Sequence, residues 1–400
     1  MNEFERRFDR MIREELTRRR LLRRGALGAL SVSAIAYLAA CGDDELSSGE
    51  DESEAKAIAK GEISKTLTFA NWPLYIDIDD KTKERPTLEK FKAKYGTTVD
   101  YVEEVNDNTE FFGKVRQEYE QGKSGGRDIH CVTDWMCARM QRLGFVQRFD
   151  KAEMPNSTKN IEDAVASPDF DPKREYSMPW QSGQVGLVYR SDLTGGDLSS
   201  VNDLFDPKFK GKVTFLSEMR DSVGSVLLSD GITPEEASKD QVLEAIERIE
   251  KASKDGQIRR FTGNDYTKDI LKGDSEALLG WSGDAIQLTA DNPDIRFVQP
   301  EEGFMVFTDS MQIPVGAPHA FTAQKMIDFV YDPEIQAAIT AYVNYVPPVK
   351  GTKEVLVEQD PEIANNELIF PDLANAHNFK TFSPEDERDI DEAFQRAIGA

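Results

Sequence analysis

The chain has 400 residues and carries 49 Lys and Arg against 73 Asp and Glu, a net charge of −24. Nucleic acids bind to basic patches, which are not expected on such an acidic surface. We therefore expect no nucleic-acid partner. At the usual ~100–200 residues per domain, the length suits two lobes better than one.

The N-terminal segment has the features of an export signal. The block TRRRLLR at residues 17–23 precedes an apolar stretch over residues 25–40, which leads into LAAC with Cys41. The first motif resembles a twin-arginine signal, and the second resembles the lipobox of bacterial lipoproteins. The apolar stretch is shorter than the ~20 residues of a membrane-spanning helix. We therefore expect residues 1–41 to be a Tat-type lipoprotein signal peptide that leaves a lipid on Cys41.

The composition of residues 42–62 predicts a disordered tether between the signal peptide and the folded body. They are acidic, rich in serine and free of aromatic residues, so they cannot bury enough apolar surface to fold. Residues 1–41 hold nine arginines and five acids, which leaves −28 on the rest of the chain. Two acyl chains on one cysteine give stable anchoring at ~0.8 kcal/mol per buried methylene. We therefore expect an exported protein, anchored through Cys41 on the outer face of the cytoplasmic membrane.

From Thr66 onward, short strands alternate with amphipathic helices. Apolar residues recur at the helical period in the helices, as Phe111, Val115 and Tyr119 do. This alternating order predicts an α/β fold with mainly parallel sheets clothed by helices. The predicted strands are 66–70, 99–102, 128–132, 185–189, 212–216 and 277–281, and the predicted helices are 87–95, 108–121, 135–143, 241–254, 319–330 and 334–342.

The sequence lacks the motifs of common enzymes. His130, His319 and His377 are the only histidines, and none lies in a His-Glu-x-x-His zinc motif. No Gly-x-Ser-x-Gly elbow, phosphate loop or dinucleotide-binding glycine motif is present. We expect no catalytic residues, no metal and no cofactor, with His130 a core residue of an apolar strand. Cys131 and Cys137 form no Cys-x-x-Cys motif, and whether they pair stays open.

Aromatic and acidic residues occur together after predicted strands or in predicted turns. Aromatic faces attract an ammonium group by cation–π contacts of ~0.5–2 kcal/mol, and carboxylates accept charge-assisted hydrogen bonds from it. In an open α/β sheet, ligands bind beyond the carboxyl ends of the strands. The combination favours a site for a slender organic polycation. The segments are 71–75, 133–135, 218–221, 281–284, 307–309 and 344–348.

The order of these segments resembles the spermidine/putrescine-binding proteins of bacterial ABC importers, over about residues 66–382. The motifs, in order, are Asn-Trp-x-x-Tyr, the stretch from Asp128 to Trp135, Glu-x-Arg-Asp, Trp-Ser-Gly-Asp, Phe-x-Asp and Tyr-x-x-Pro. The resemblance implies a two-lobed periplasmic-binding-protein-like (type II) α/β fold, hinged around a central cleft that closes on a polyamine. Lobe 1 would comprise 63–185 plus 308–350, and lobe 2 would comprise 186–307 plus 351–400. A monomer would deliver the polyamine to ABC transporter permease subunits.

The resemblance also implies roles for individual residues. Thr133 would stand in for a small hydroxyl residue that hydrogen-bonds the ligand, and Asp134 adds a carboxylate next to an aromatic wall. Leu74 stands where members of the family often have an acid. The aromatic walls would be Trp72, Tyr75, Trp135, Trp281, Phe307 and Tyr345, and the amine contacts Glu218, Asp221 and Asp309, with Asp284 a direct or a supporting acid.

Two other functions stay open at this point. A bilobal receptor could take a sugar, an amino acid or another organic cation such as thiamine, because tryptophan and aspartate also serve such sites. An exported hydrolase with a pair of carboxylates is the other alternative, since such a pair has no sequence signature in so acidic a chain.

Overall fold

The computed structural model of the protein describes residues 56–79 and 81–399. The predicted signal peptide, the lipidation of Cys41 and most of the predicted tether lie outside the described residues. The end of the predicted tether is described, and there Ile58 is buried. Its amide donates to the Arg148 carbonyl at 2.8 Å. The folded body therefore begins before residue 63, where we had placed its start.

The described residues alternate between strands and helices. The strands are β1 (Thr66–Asn71), β2 (Thr98–Glu103), β3 (Ile129–Thr133), β4 (Met178–Arg190), β5 (Val213–Leu216), β6 (Ile258–Thr262), β7 (Ala277–Trp281), β8 (Ile295–Val298), β9 (Phe304–Gln312) and β10 (Ala376–His377). The helices are α1 (Pro86–Tyr95), α2 (Asn108–Glu120), α3 (Asp134–Arg142), α4 (Pro155–Asn160), α5 (Ser191–Thr194), α6 (Met219–Ser229), α7 (Lys239–Lys254), α8 (Tyr266–Lys272), α9 (Ser282–Asp291), α10 (Ala320–Phe329), α11 (Pro333–Val343), α12 (Thr352–Gln359), α13 (Pro361–Ala364) and α14 (Pro384–Ile398).

The strands follow the order β2-β1-β3-β9-β4-β7-β5-β6, with β8 paired to β4 and β10 paired to β9. At one end, β1 is parallel to both β2 and β3, and we call these three strands the first group. At the other end, β5 is parallel to both β6 and β7, and we call these three strands the second group. Antiparallel β9 and β4 lie between the groups. This arrangement confirms the predicted α/β fold class.

Strand β4 connects the two groups. Its residues 178–184 pair with β9, whereas residues 185–190 pair with β7 and β8. Strand β9 in turn reaches β3 of the first group through residues 309–312. The predicted lobe boundaries at 185/186 and 307/308 fall within these two strands, and the exact extent of each lobe stays a prediction.

Helix α7 shows how the sequence places a helix on the sheet. Ser238 and Gln241 form a capping box at its start, which satisfies two otherwise unpaired backbone amides. Val242, Ile246 and Ile249 are buried at helical spacing on one face. The opposite face is charged, so this helix covers the core with one side and meets water with the other.

The predicted elements appear within a few residues of their expected bounds, except that β4 is much longer than predicted. Its first half contains Pro179, Gln181 and Gly183, which are unusual in a central strand. These residues are nevertheless buried or nearly so, because β4 pairs with β9 along this stretch. No helix of the described residues is long and apolar enough to cross a membrane.

The core residues include the histidine and the two thiols of β3 and α3. His130 is fully buried. Its Nδ1 lies 3.1 Å from the Tyr119 hydroxyl, and its Nε2 lies 3.3 Å from the side-chain oxygen Oε1 of Gln312. Burial lowers the pKa of His130 to about 4, so the imidazole is neutral. Cys131 and Cys137 are free, buried thiols. His130 is thus the core residue that the sequence predicted.

Candidate functional site

A cavity of about 500 Å³ opens at the carboxyl ends of strands from both groups. The predicted site residues reach it because most of them directly follow β1, β3, β5 or β7, as the sequence predicted. Phe307 and Asp309 are different, since they lie inside β9 and not after a strand or in a turn as expected. All twelve line the cavity, namely Trp72, Tyr75, Thr133, Asp134, Trp135, Glu218, Asp221, Trp281, Asp284, Phe307, Asp309 and Tyr345.

Asp309 is a buried carboxylate held by two hydroxyl groups. Tyr75 Oη donates to its Oδ2 at 3.0 Å, and Thr133 Oγ1 donates to its Oδ1 at 2.8 Å. Desolvation raises the pKa of Asp309 to about 7, although both hydrogen bonds act in the opposite direction. Near neutral pH this carboxyl is therefore divided between its neutral and its charged form.

Glu218 and Asp221 lie at the start of α6, next to the second group. Asp221 is 5% exposed and accepts a hydrogen bond from Trp281 Nε1 at 2.8 Å. Glu218 is half-buried, and its Oε2 accepts from Asn108 Nδ2 at 3.0 Å. Desolvation raises the pKa of both carboxyls, and the charge of Asp221 raises that of Glu218 further. The charge of Arg220 lowers both pKa values, but desolvation is the larger effect, so a further positive charge would stabilise the ionised form of both acids.

Asp284 already accepts hydrogen bonds at both carboxylate oxygens. Tyr345 Oη donates to its Oδ1 at 3.0 Å, and Tyr266 Oη donates to its Oδ2 at 2.8 Å, with Asn264 Nδ2 at 3.3 Å from the same oxygen. Tyr266 Oη also accepts from the backbone N–H of Trp281. Asp284 thus holds the hydroxyl groups of two tyrosines beside the cavity.

Four aromatic rings form a connected wall. The Tyr75 and Tyr345 rings meet edge to face at 5.1 Å between centroids, and Phe307 lies 6.3 Å from Tyr345 and 6.2 Å from Trp281. Small residues make room for them. A Cβ at Gly183 would lie 2.5 Å from the Phe307 ring, and one at Gly283 would overlap the Tyr345 ring. The wall therefore depends on glycine at both positions.

Asp134 and Trp135 are engaged by arginines of the protein itself. Arg174 Nη2 lies 3.1 Å from Asp134 Oδ2 in an ion pair, and Ser310 Oγ donates to the same carboxylate. The Arg220 guanidinium lies 3.9 Å from the centre of the Trp135 ring. Both residues line the cavity, but the charge of Asp134 is compensated and one face of Trp135 is covered.

The site acids differ from Asp134 in that their partners are uncharged. Glu218, Asp221, Asp284 and Asp309 accept only from hydroxyl, amide or indole groups, and none forms an ion pair within residues 56–79 and 81–399. The same residues contain no group of three or more His, Cys, Asp or Glu side chains that could hold a metal ion. The arrangement offers carboxylates and aromatic faces to an organic cation.

Several residues that shape the site were not among those predicted from the sequence. Asn108 has a recognisable signal, since it follows Asp107, an N-cap residue before a helix, at the carboxyl end of β2. Arg174 and Tyr266 have no such signal. Their importance follows only from the acids they contact, which are far away in sequence.

Residues 87–371 match the family described as bacterial extracellular solute-binding protein. The chain is 23% identical to the spermidine/putrescine-binding periplasmic protein of Escherichia coli K12, over 80% of this chain and 87% of that protein. It is 27% identical to the putrescine-binding periplasmic protein SpuD of Pseudomonas aeruginosa, over 79% of this chain and 89% of that protein. The structure of the TpPotD lipoprotein of Treponema pallidum has a TM-score of 0.70 and 20% identity, covering 84% of this chain and 100% of that chain.

Proposed function

Because this chain belongs to the family of bacterial extracellular solute-binding proteins, we propose that its cavity captures a polyamine such as spermidine or putrescine for delivery to an ABC importer. One observation carries the proposal. Glu218, Asp221 and Asp309 line one aromatic-walled cavity and have only uncharged partners. Charged carboxylates removed from water need a cation, and a polyamine supplies several along one slender chain. The names of the E. coli and P. aeruginosa relatives agree with this ligand class.

Binding requires positioning and no covalent chemistry. The ammonium groups would donate to the three carboxylates while the methylene chain lies against the rings of Tyr345 and Phe307. Entry of positive charge favours the charged form of each carboxyl, so binding near neutral pH releases protons. Strands β4 and β9 join the two groups and are the natural hinge for closure around the ligand.

Arg220 favours a second candidate, a zwitterionic amino acid. Arg220 lines the same cavity as the acids, and its Nη2 lies 3.5 Å from Glu387 Oε1. A ligand with both a carboxylate and an ammonium group would find a charged partner for each, with Glu387 competing for Arg220. A neutral sugar has no such support, because it would leave the three carboxylates without a counter-charge.

We also propose that the protein is held on the outer face of the cytoplasmic membrane by a lipid on Cys41. The motif LAAC at residues 38–41 and the arginines before it support this. Mass spectrometry of the membrane-bound protein would detect a diacylglycerol on Cys41, and Cys41→Ser should release the protein from the membrane. We further propose that the protein acts as a monomer, which its elution volume in gel filtration would test.

Isothermal titration of the chain from residue 42 onward tests the ligand. The titrants are spermidine, putrescine, a neutral sugar and a zwitterionic amino acid. Micromolar or tighter binding of an amine, without heat from the sugar, supports the polyamine proposal. Heat from the amino acid alone supports the second candidate. Heat from none of the four excludes both.

A further inference from the structure

The turn formed by residues 106–108, which we call the cleft turn, belongs to the first group. It connects β2 to α2, and Asp107 Oδ1 caps α2 by accepting from the backbone N–H groups of Thr109 and Glu110 at 2.8 and 3.0 Å. Helix α2 is fixed on β3, since its Tyr119 hydroxyl lies 3.1 Å from His130 Nδ1. The cleft turn is thus attached rigidly to the first group.

The same turn contacts the second group at three points. Ser217 Oγ donates to Asp107 Oδ2 at 3.1 Å, and Asn108 Nδ2 donates to Glu218 Oε2 at 3.0 Å. The Asn106 carbonyl oxygen lies so near Gly263 that a Cβ there would be 2.6 Å from it. Ser217 and Glu218 follow β5, and Gly263 follows β6. These contacts close one edge of the cavity.

Asn108 also links the acids of the two groups to each other. Its Oδ1 accepts from the Thr133 backbone N–H at 3.0 Å, and its Nδ2 donates to Thr133 Oγ1 at 2.8 Å. Thr133 Oγ1 donates in turn to Asp309. A side-chain amide offers one acceptor oxygen and two N–H donors, so Asn108 can make all three bonds, including the one to Glu218, at the same time. Asn108 is 2% exposed, so water does not compete for these bonds.

We propose that Asn108 is a positioning residue that couples closure of the cleft to the capture of the ligand by Glu218. This inference rests on the proposed function. The first group carries Asn108 and the second carries Glu218, so their hydrogen bond forms only when the groups meet at the cleft turn. The bond then holds the Glu218 carboxylate towards the cavity and resists reopening. Asn108 therefore acts mainly on the release of the ligand.

Stopped-flow tryptophan fluorescence with spermidine and putrescine tests this coupling. Asn108→Ala should speed dissociation by about 10- to 100-fold, the range for a hydrogen bond to a charged group, with little change in the association rate. In a double-mutant cycle, Asn108→Ala should have little further effect once Glu218→Leu has removed the acceptor. Asn264→Ala is the matched control, because it removes an amide donor from Asp284, next to the second group. Its effect should multiply with that of Glu218→Leu.

Two further variants keep the test valid if Asn108→Ala weakens α2. Ser217→Ala removes the contact with Asp107 and leaves the helix cap intact. Gly263→Ala places a methyl group against the Asn106 carbonyl, and its backbone angle is open to alanine. Both should speed dissociation several-fold without lowering the thermal midpoint of the ligand-free protein by more than a few degrees.

The outcomes separate this inference from the function on which it rests. If the wild-type protein binds neither amine, both proposals are overturned. If it binds an amine, but dissociation is unchanged in all three variants, the coupling at the cleft turn is refuted alone. The same holds if the effects of Asn108→Ala and Glu218→Leu multiply, because Asn108 would then act independently of Glu218.

Discussion

Replacement of Asp309 by asparagine should change both the affinity for a polyamine and its dependence on pH. The substitution conserves size and removes the charge at the point where Tyr75 and Thr133 converge. Removing one member of a buried charge pair typically costs about 2–5 kcal/mol of binding free energy. We expect a loss of that size for Asp309→Asn at pH 8, where the wild-type carboxyl is mostly ionised.

The pH dependence follows from the pKa of Asp309, which is about 7. The charged form of Asp309 binds the amine. At pH 5.5, about 1.5 units below the pKa, ionising this carboxyl costs about 2 kcal/mol. Amines resemble lysine in their high pKa and stay charged throughout this range. Affinity of the wild type should thus fall about 30-fold between pH 8 and pH 5.5 from Asp309 alone. Asp309→Asn should lose this part of the dependence.

Titration calorimetry at pH 5.5, 6.5 and 8 measures both effects, and two buffers of different ionisation enthalpy report the protons released. Asp169→Asn is the matched control, because Asp169 lines the same cavity but is exposed. It should bind within about twofold of the wild type and keep the full pH dependence, as expected for a solvated charge. The reasoning is refuted if Asp309→Asn also binds within about twofold of the wild type at pH 8, or if its pH dependence is unchanged.

Three other predictions concern the aromatic wall and the stability of the ligand-free protein. Trp281→Phe keeps an aromatic ring but removes the donor to Asp221, so amine affinity at pH 7 should fall about 3- to 30-fold in calorimetry; an unchanged affinity would mean that Asp221 does not contact the ligand. Gly283→Ala should displace the Tyr345 ring and weaken binding at least about tenfold, whereas the exposed Gly196→Ala serves as control. Finally, the raised pKa of Asp309 stabilises the ligand-free protein at low pH, and this contribution is lost as pH rises through about 7. Urea titrations should show that Asp309→Asn removes part of a fall in stability between pH 5 and pH 8, and an identical pH profile for both proteins would contradict this assignment.

The residues that meet at the cavity could be predicted from the sequence, because the prediction depends only on where each residue lies relative to its own strand. A residue at the end of a parallel strand or just after it lies at the carboxyl edge of the sheet, so Trp72, Thr133 and Glu218 could be placed together without knowledge of the strand order. Phe307 and Asp309 line the same cavity from positions inside β9. Their strand was not predicted, since its mixed apolar and polar residues lack a clear alternation.

The partners of the site acids could not be predicted, because they are set by tertiary contacts. Asp134 was predicted among the ligand-binding residues, and its partner Arg174, forty residues along the chain, could not be predicted. Asn108 and Glu218 are separated by 110 positions and belong to different groups of strands. Side-chain chemistry indicates that an acid needs a partner, but only the packing of the two groups decides which acids have one.

The three carboxylates proposed to contact the ligand, those of Glu218, Asp221 and Asp309, determine what the site can distinguish. A neutral solute would leave them either charged and unpaired or protonated, whereas a polyamine compensates them, so cations and neutral molecules should be separated strongly. A diamine compensates fewer acids than a triamine does. Near pH 7 the remaining acid can take up a proton at little cost, because its pKa is raised to about the same value, as for Asp309. Discrimination between putrescine and spermidine should therefore be weak at neutral pH and should grow in favour of the triamine as the pH rises, since protonation of the remaining acid then becomes more costly.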